Sequence, residues 1–262
     1  MGDRVSKGDL LAKCGNSGNS PYPHLHFHLQ ATPHIGSRTI EYPIANYLLK
    51  GKDGPAIFTT SMPAKNDIIA SIQVHPALRR AFHFIPGQRL KLRVQEQTPY
   101  EVEWEVKIDF YLNKYIECQA SKSRAYFKVD DAMLYFTHFE GDRSSPLYFF
   151  YLATFRVCFG YYPNLQLHDS YPVNLIFRPI QLFLHDFTAP FFMYMKGRYH
   201  LIYSGELDPL ADTKIALKAN TTALDLGREK ERIATSLYID NSGLKGFEVE
   251  ASGRKFEVEV MV

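Results

Sequence analysis

Two segments alternate polar and apolar positions strictly enough to predict strands. Arg89-Leu90-Lys91-Leu92-Arg93-Val94 interleaves basic and apolar residues, and Tyr100 to Leu112 interleaves Val102, Trp104, Val106, Ile108 and Phe110 with Glu101, Glu103, Glu105, Lys107 and Asp109. Side chains on a strand point alternately to its two faces, so a period of two marks a half-buried strand. Joined by Gln95-Glu96-Gln97-Thr98-Pro99, the segments are expected to pair as an antiparallel hairpin with one apolar face and a basic row set against an acidic one. The C-terminal residues repeat the pattern. Phe247, Val249 and Ala251 face Phe256, Val258 and Val260 across Ser252-Gly253, which leaves Glu248, Glu250, Glu257 and Glu259 outside. Sheets with one wet face are mostly antiparallel.

Other stretches carry weaker patterns. Asp67 to Phe84 predicts a strand followed by a short helix starting near Pro76. Tyr135 to Tyr203 holds over half of the chain's aromatic residues. Within it, Leu147 to Phe159 and Val173 to His185 lack alternation, and Pro146, Pro163, Pro172, Pro179 and Pro190 cut the region into short pieces. One or two buried helices laid against the sheet are expected there. Residues 31 to 63 are irregular, with Pro33, Pro43, Pro55, Pro63 and the Gly51-Lys52-Asp53-Gly54 turn, and mark a boundary between a module at 1–45 and a larger one at 46–262. The expected fold is mainly β: a truncated, open β-rich hairpin module, then an antiparallel β-sandwich-like domain or strongly curved sheet with one or two helical insertions.

Composition narrows the function. A chain of 262 residues with 45% hydrophobic and 22% charged residues is an ordinary globular one. A net charge of +2 sets up no field that would gather nucleic acid, so no nucleic-acid partner is expected. Cys14, Cys118 and Cys158 form no Cys-x-x-Cys pair, which excludes a disulfide scaffold and a cysteine-based zinc site. The first residues contain no apolar stretch behind a basic head, so no signal peptide is read there. The longest apolar run, Pro146 to Pro163, contains Arg156 and reads as a buried element rather than a membrane span.

The richest chemistry lies in Pro23-His24-Leu25-His26-Phe27-His28-Leu29. On a strand, His24, His26 and His28 would share one face at intervals of about 7 Å, with Leu25, Phe27 and Leu29 anchoring the other. Neutral imidazole is a good zinc ligand, and a catalytic zinc needs three protein ligands plus a water position. Such a strand supplies part of a site, or simply a polar face.

Gly2-Asp3-Arg4-Val5-Ser6-Lys7-Gly8-Asp9-Leu10-Leu11, the Gly15-Asn16-Ser17-Gly18-Asn19-Ser20 loop and Pro23-His24-Leu25-His26-Phe27 follow one another in an order and spacing that matter together. Residues 1–30 resemble the closing third of a lysostaphin-like zinc metallopeptidase domain. The resemblance implies a peptide-bond hydrolase acting on peptidoglycan peptides with one zinc ion, in the bacterial cell envelope or outside the cell. It implies that His26 is a metal ligand and His24 a catalytic residue acting on the zinc-bound water; His28 takes no family role. The family draws its other zinc ligands from an upstream His-x-x-x-Asp, yet residues 1–23 contain no histidine, and the motif at His138 to Asp142 lies downstream. The resemblance therefore implies a fragment, inactive alone, that binds zinc only when the missing ligands are supplied. The alternative is a non-catalytic β-rich binding or interaction module carrying a remnant peptidase hairpin. His168-Asp169 and His185-Asp186 are adjacent pairs whose side chains would point to opposite faces of a strand, so no nucleophilic dyad is expected from them.

Overall fold

A computed structural model describes residues 4–6, 9–10, 12–16, 18–25, 27–34, 36–51, 54–172, 195–206, 213–225, 228–251 and 253–261. The chain divides into two units, Met1–Pro43 and Ile44–Val262.

The first unit holds little regular structure among its described residues. β1 (Leu29–Gln30) pairs antiparallel with β2 (Thr39–Ile40), and an isolated bridge joins Gly15 to His24. These are the pairings of the expected hairpin module among its described residues, and Leu25 and Phe27 do not anchor a buried face. They are 73% and 65% exposed, and Leu10 is 82% exposed. A strand needs a neighbour to satisfy its backbone, and a lone two-stranded ribbon is marginal in water. Phe27 finds one partner, the edge of the Tyr42 ring at 5.7 Å.

The second unit is one 15-stranded sheet. In chain order its elements are β3 (Tyr47–Gly51), β4 (Gly54–Phe58), β5 (Ile69–Ser71), helix α1 (Pro76–Ala81), β6 (Arg89–Gln95), β7 (Tyr100–Ile108), β8 (Lys114–Cys118), β9 (Ser123–Val129), β10 (Met133–Glu140), helix α2 (Pro146–Ala153), β11 (Arg156–Cys158), β12 (Gln166–Tyr171), β13 (Met195–Glu206), β14 (Lys214–Asp225), β15 (Arg228–Asp240), β16 (Gly243–Ala251) and β17 (Arg254–Met261). The strand order is β11-β10-β9-β8-β7-β6-β17-β16-β15-β14-β13-β12-β4-β3-β5. Every pairing is antiparallel except that of β12 with β4.

Both predicted hairpins form. Arg93 lies opposite Glu101 and Arg89 opposite Glu105, with Arg93 Nη2 3.0 Å from Glu101 Oε1, which is the expected basic row against an acidic one. Phe247 faces Val258 and Val249 faces Phe256. The first hairpin ends sooner than its alternation suggests. The Asp109 carboxylate accepts from Tyr111 N (2.9 Å), Asn113 N (2.8 Å) and Asn113 Nδ2 (3.0 Å), which turns the chain right after β7. Phe110 is consequently 94% exposed rather than inward, and Leu112 takes a φ of 64°.

Helix α2 explains the shape of the sheet. Pro146 suits its first turn, the Ser145 hydroxyl caps it by accepting from Leu147 N at 3.1 Å, and all eight of its residues are buried. A helix apolar on every side must be enclosed. Phe150 packs against Trp104 of β7 (5.3 Å between centroids), Phe136 of β10 (6.1 Å) and Phe247 of β16 (5.6 Å). Strands remote in the sheet order thus meet around one helix, so the sheet curves strongly. Val173 to His185, where a second helix was expected, lies outside the described residues. The short helix at Pro76–Ala81 and the preceding strand at Ile69–Ser71 match their sequence pattern.

Tyrosines finish the closure. β11 is an edge strand. Phe159 N donates to Ala132 O and Phe136 N to Phe155 O, so the backbone groups of Cys158, on the alternate row, point away from β10. Both meet the Tyr203 hydroxyl of β13, which accepts from Cys158 N at 2.7 Å and donates to Cys158 O at 2.9 Å. Tyr199 OH lies 2.8 Å from Ala153 O and 3.1 Å from Arg156 O, and Tyr171 OH donates to Leu152 O. Among the described residues, the aromatic-rich middle of the chain is therefore packed core. No helix among the described residues is long and apolar enough to cross a membrane.

Candidate functional site

The glycine-rich loop and His24 meet in the first unit. His24 N donates to Gly15 O at 3.2 Å, so the chain returns across the loop to the residue that opened it. Gly18 makes the reversal at a φ of 82°, where a side chain would be strained. Ser20 N bonds Gly18 O at 3.1 Å, and its hydroxyl donates to Tyr22 O at 2.8 Å. The His24 ring is exposed. Its Nδ1 lies 2.8 Å from Tyr22 O and 2.9 Å from Ser20 Oγ. A carbonyl oxygen can only accept, so the contact to Tyr22 O calls for a proton on Nδ1, and in a neutral ring the lone pair is then on Nε2. A local backbone carbonyl thereby selects the tautomer that a metal ligand or a general base uses at Nε2.

Of the other predicted site residues, His28 is exposed and His26 lies outside the described residues. The downstream motif brings nothing together: His138 on β10 sits 3.3 Å from Glu140, while the Asp142 carboxylate accepts from Ser144 N and Oγ at 2.8 Å. Among the described residues, no three or more His, Cys, Asp or Glu side chains are grouped as a metal ion requires. Zinc with three protein ligands is therefore not assembled by the described residues. Cys14 is an exposed free thiol; Cys118 and Cys158 are buried, and burial pushes the Cys158 thiol up to about 12, which keeps it protonated and inert.

No family model, no curated protein and no solved structure matches the chain.

His168 and Asp169 point to opposite faces of β12, as adjacency on a strand dictates. Asp169 pairs with Arg156 of β11, while His168 stacks on His200 of β13 at 4.2 Å between centroids. His185 and Asp186 lie outside the described residues. The partnership of His168 with His200, and with Arg198 and Arg232 beside them, escapes sequence reasoning because three separate strands deliver these side chains. The one local signal is the period-two run Arg198-Tyr199-His200-Leu201, whose Tyr199 and Leu201 are buried.

Proposed function

We propose that residues 1–45 are the closing part of a lysostaphin-like zinc metallopeptidase domain and that this chain, taken alone, is an inactive fragment of such an endopeptidase. The observation that carries the reading is the local geometry at His24. A glycine-rich loop, a serine and a backbone carbonyl hold an exposed imidazole with its lone pair at Nε2, the form in which it can take a proton from a metal-bound water. In this reading His24 is the catalytic residue and His26 a zinc ligand, the remaining ligands come from other residues of an intact domain, and the substrate is a peptidoglycan peptide in the cell envelope. The second unit is then an accessory domain.

Two measurements test it. Nitrogen chemical shifts of the His24 ring should report the Nδ1–H tautomer, and an Nε2–H tautomer would remove the geometric support. The purified chain, incubated with zinc, should release no fragments from peptidoglycan or from a glycine-rich peptide. Chelator-sensitive hydrolysis abolished by His24→Ala would show that the chain is a working peptidase and not a fragment.

A further inference from the structure

The outer face of β12 to β15 carries an arrangement unrelated to His24. Register sets His168 opposite His200 and His200 opposite Asn220; one row along, Arg198 faces Thr222 and Thr222 faces Arg232. Alternate residues Tyr199, Leu201, Thr221 and Ile233 are buried on the inner face, which fixes the six on the outer one. They line a bay of about 540 Å³. The two imidazoles are stacked at 10° between planes, His200 Nε2 lies 3.1 Å from Gln166 Oε1, and Arg232 Nη2 donates to Asn220 Oδ1 at 3.0 Å.

The charges in the bay are unequal. Neither Arg198 nor Arg232 has a carboxylate at ion-pair distance among the described residues. Glu229 of β15 lines the bay, Asp169 is taken by Arg156, and Glu250 of β16 sits one strand beyond, opposite Ala234. Two guanidiniums held about two strand spacings apart, with imidazoles beside them, offer forked and single N–H donors to one oxyanion. We propose that this bay binds a phosphoryl-bearing small molecule, with Arg198 and Arg232 flanking the anion, His168 beside them, and His200 adding a second N–H donor once it is protonated.

Burial, and then the neighbouring His168, hold the His200 imidazole below its ordinary range. It is neutral at pH 7 and takes up a proton on acidification, so anion affinity should rise as pH falls, with His168, His200, Arg198, Arg232, Glu229 and Glu250 as the groups in play.

Sulfate keeps its charge between about pH 5.5 and about pH 8, so its titration into the full chain by calorimetry isolates the protein's protonation. Binding is expected to be several-fold tighter at the lower pH. Arg198→Ala and Arg232→Ala should each weaken it about tenfold, and His200→Gln should reduce the pH dependence while leaving binding at the higher pH. Both arginines are exposed, so an unchanged unfolding midpoint shows that the variants fold. Glycerol phosphate should bind at least as tightly as inorganic phosphate; a weaker ester would overturn the assignment to an esterified ligand. No saturation by about 10 mM of any of the three anions, or equal affinity in both arginine variants, would overturn the site itself. None of these variants touches His24, so the result is independent of the peptidase reading.

Discussion

Replacing Tyr203 by Phe removes one oxygen from the interior and leaves the ring in place. That oxygen is the partner of both Cys158 N (2.7 Å) and Cys158 O (2.9 Å), groups at a strand edge where no further strand lies among the described residues. Cys158 and Tyr203 are both fully buried, so water cannot replace the hydroxyl without opening the curl. A buried unpaired backbone group costs about 1–3 kcal/mol, and a carbonyl is the more forgiving of the two, so Tyr203→Phe should destabilise the second unit by about 2–4 kcal/mol. Equilibrium urea unfolding measures the loss, and amide hydrogen exchange locates it: Cys158 N–H should lose protection while Phe159 N–H, bonded to Ala132 O at 2.7 Å, keeps it. A loss below about 0.5 kcal/mol with Cys158 still protected would refute the claim that a tyrosine hydroxyl stands in for the missing strand.

Three further outcomes follow from the same packing. Phe150→Ala empties the space where three strands meet the helix and should cost about 3–5 kcal/mol by urea unfolding, whereas Phe110→Ala, at the exposed turn, should stay within about 0.5 kcal/mol. Arg254 grips Glu96 through Nε (2.6 Å) and Nη2 (2.9 Å) and donates to Ser144 O at 2.7 Å; Arg254→Lys keeps the charge but loses the fork, and thermal unfolding should fall measurably. The Arg254 guanidinium holds the Glu96 carboxyl below the usual carboxylate range. Its folded value being depressed, the pair's contribution is present at neutral pH and is lost as pH falls through that folded value. Glu96→Gln should therefore lower stability at neutral pH and flatten its acid limb in unfolding curves recorded against pH.

Local pattern carried much of this fold. The Arg89 and Tyr100 segments, the terminal hairpin and the short helix after Pro76 each announce themselves through spacing, and a run as apolar as Leu147 to Ala153 behind Pro146 must be an enclosed helix. What spacing does not encode is which distant strands meet. That β17 pairs with β6, bringing Val258 to Val94, and that Tyr203 reaches Cys158, depend on register across the whole chain. Alternation also misleads where a side chain intervenes: Asp109 diverts Phe110 outward although the period would send it in. The same limit applies at the first unit, where Leu25 and Phe27 alternate correctly but have no adjacent strand among the described residues to make the pattern structural. The tautomer of His24 was not legible either, because it rests on the distance to one carbonyl oxygen.

The two halves of the large sheet are stitched together by a single strand, Arg254–Met261, inserted between β6 and β16. During synthesis on the ribosome, β6 can pair with β7 on one side and must wait for almost the whole remaining length of the chain before its other side is covered. For that interval it presents a bare row of amides and carbonyls to any passing polypeptide. Arg89, Lys91 and Arg93 alternate along it and repel like-charged copies of themselves, which gives the nascent protein a guard against pairing with its own siblings before the stitch arrives.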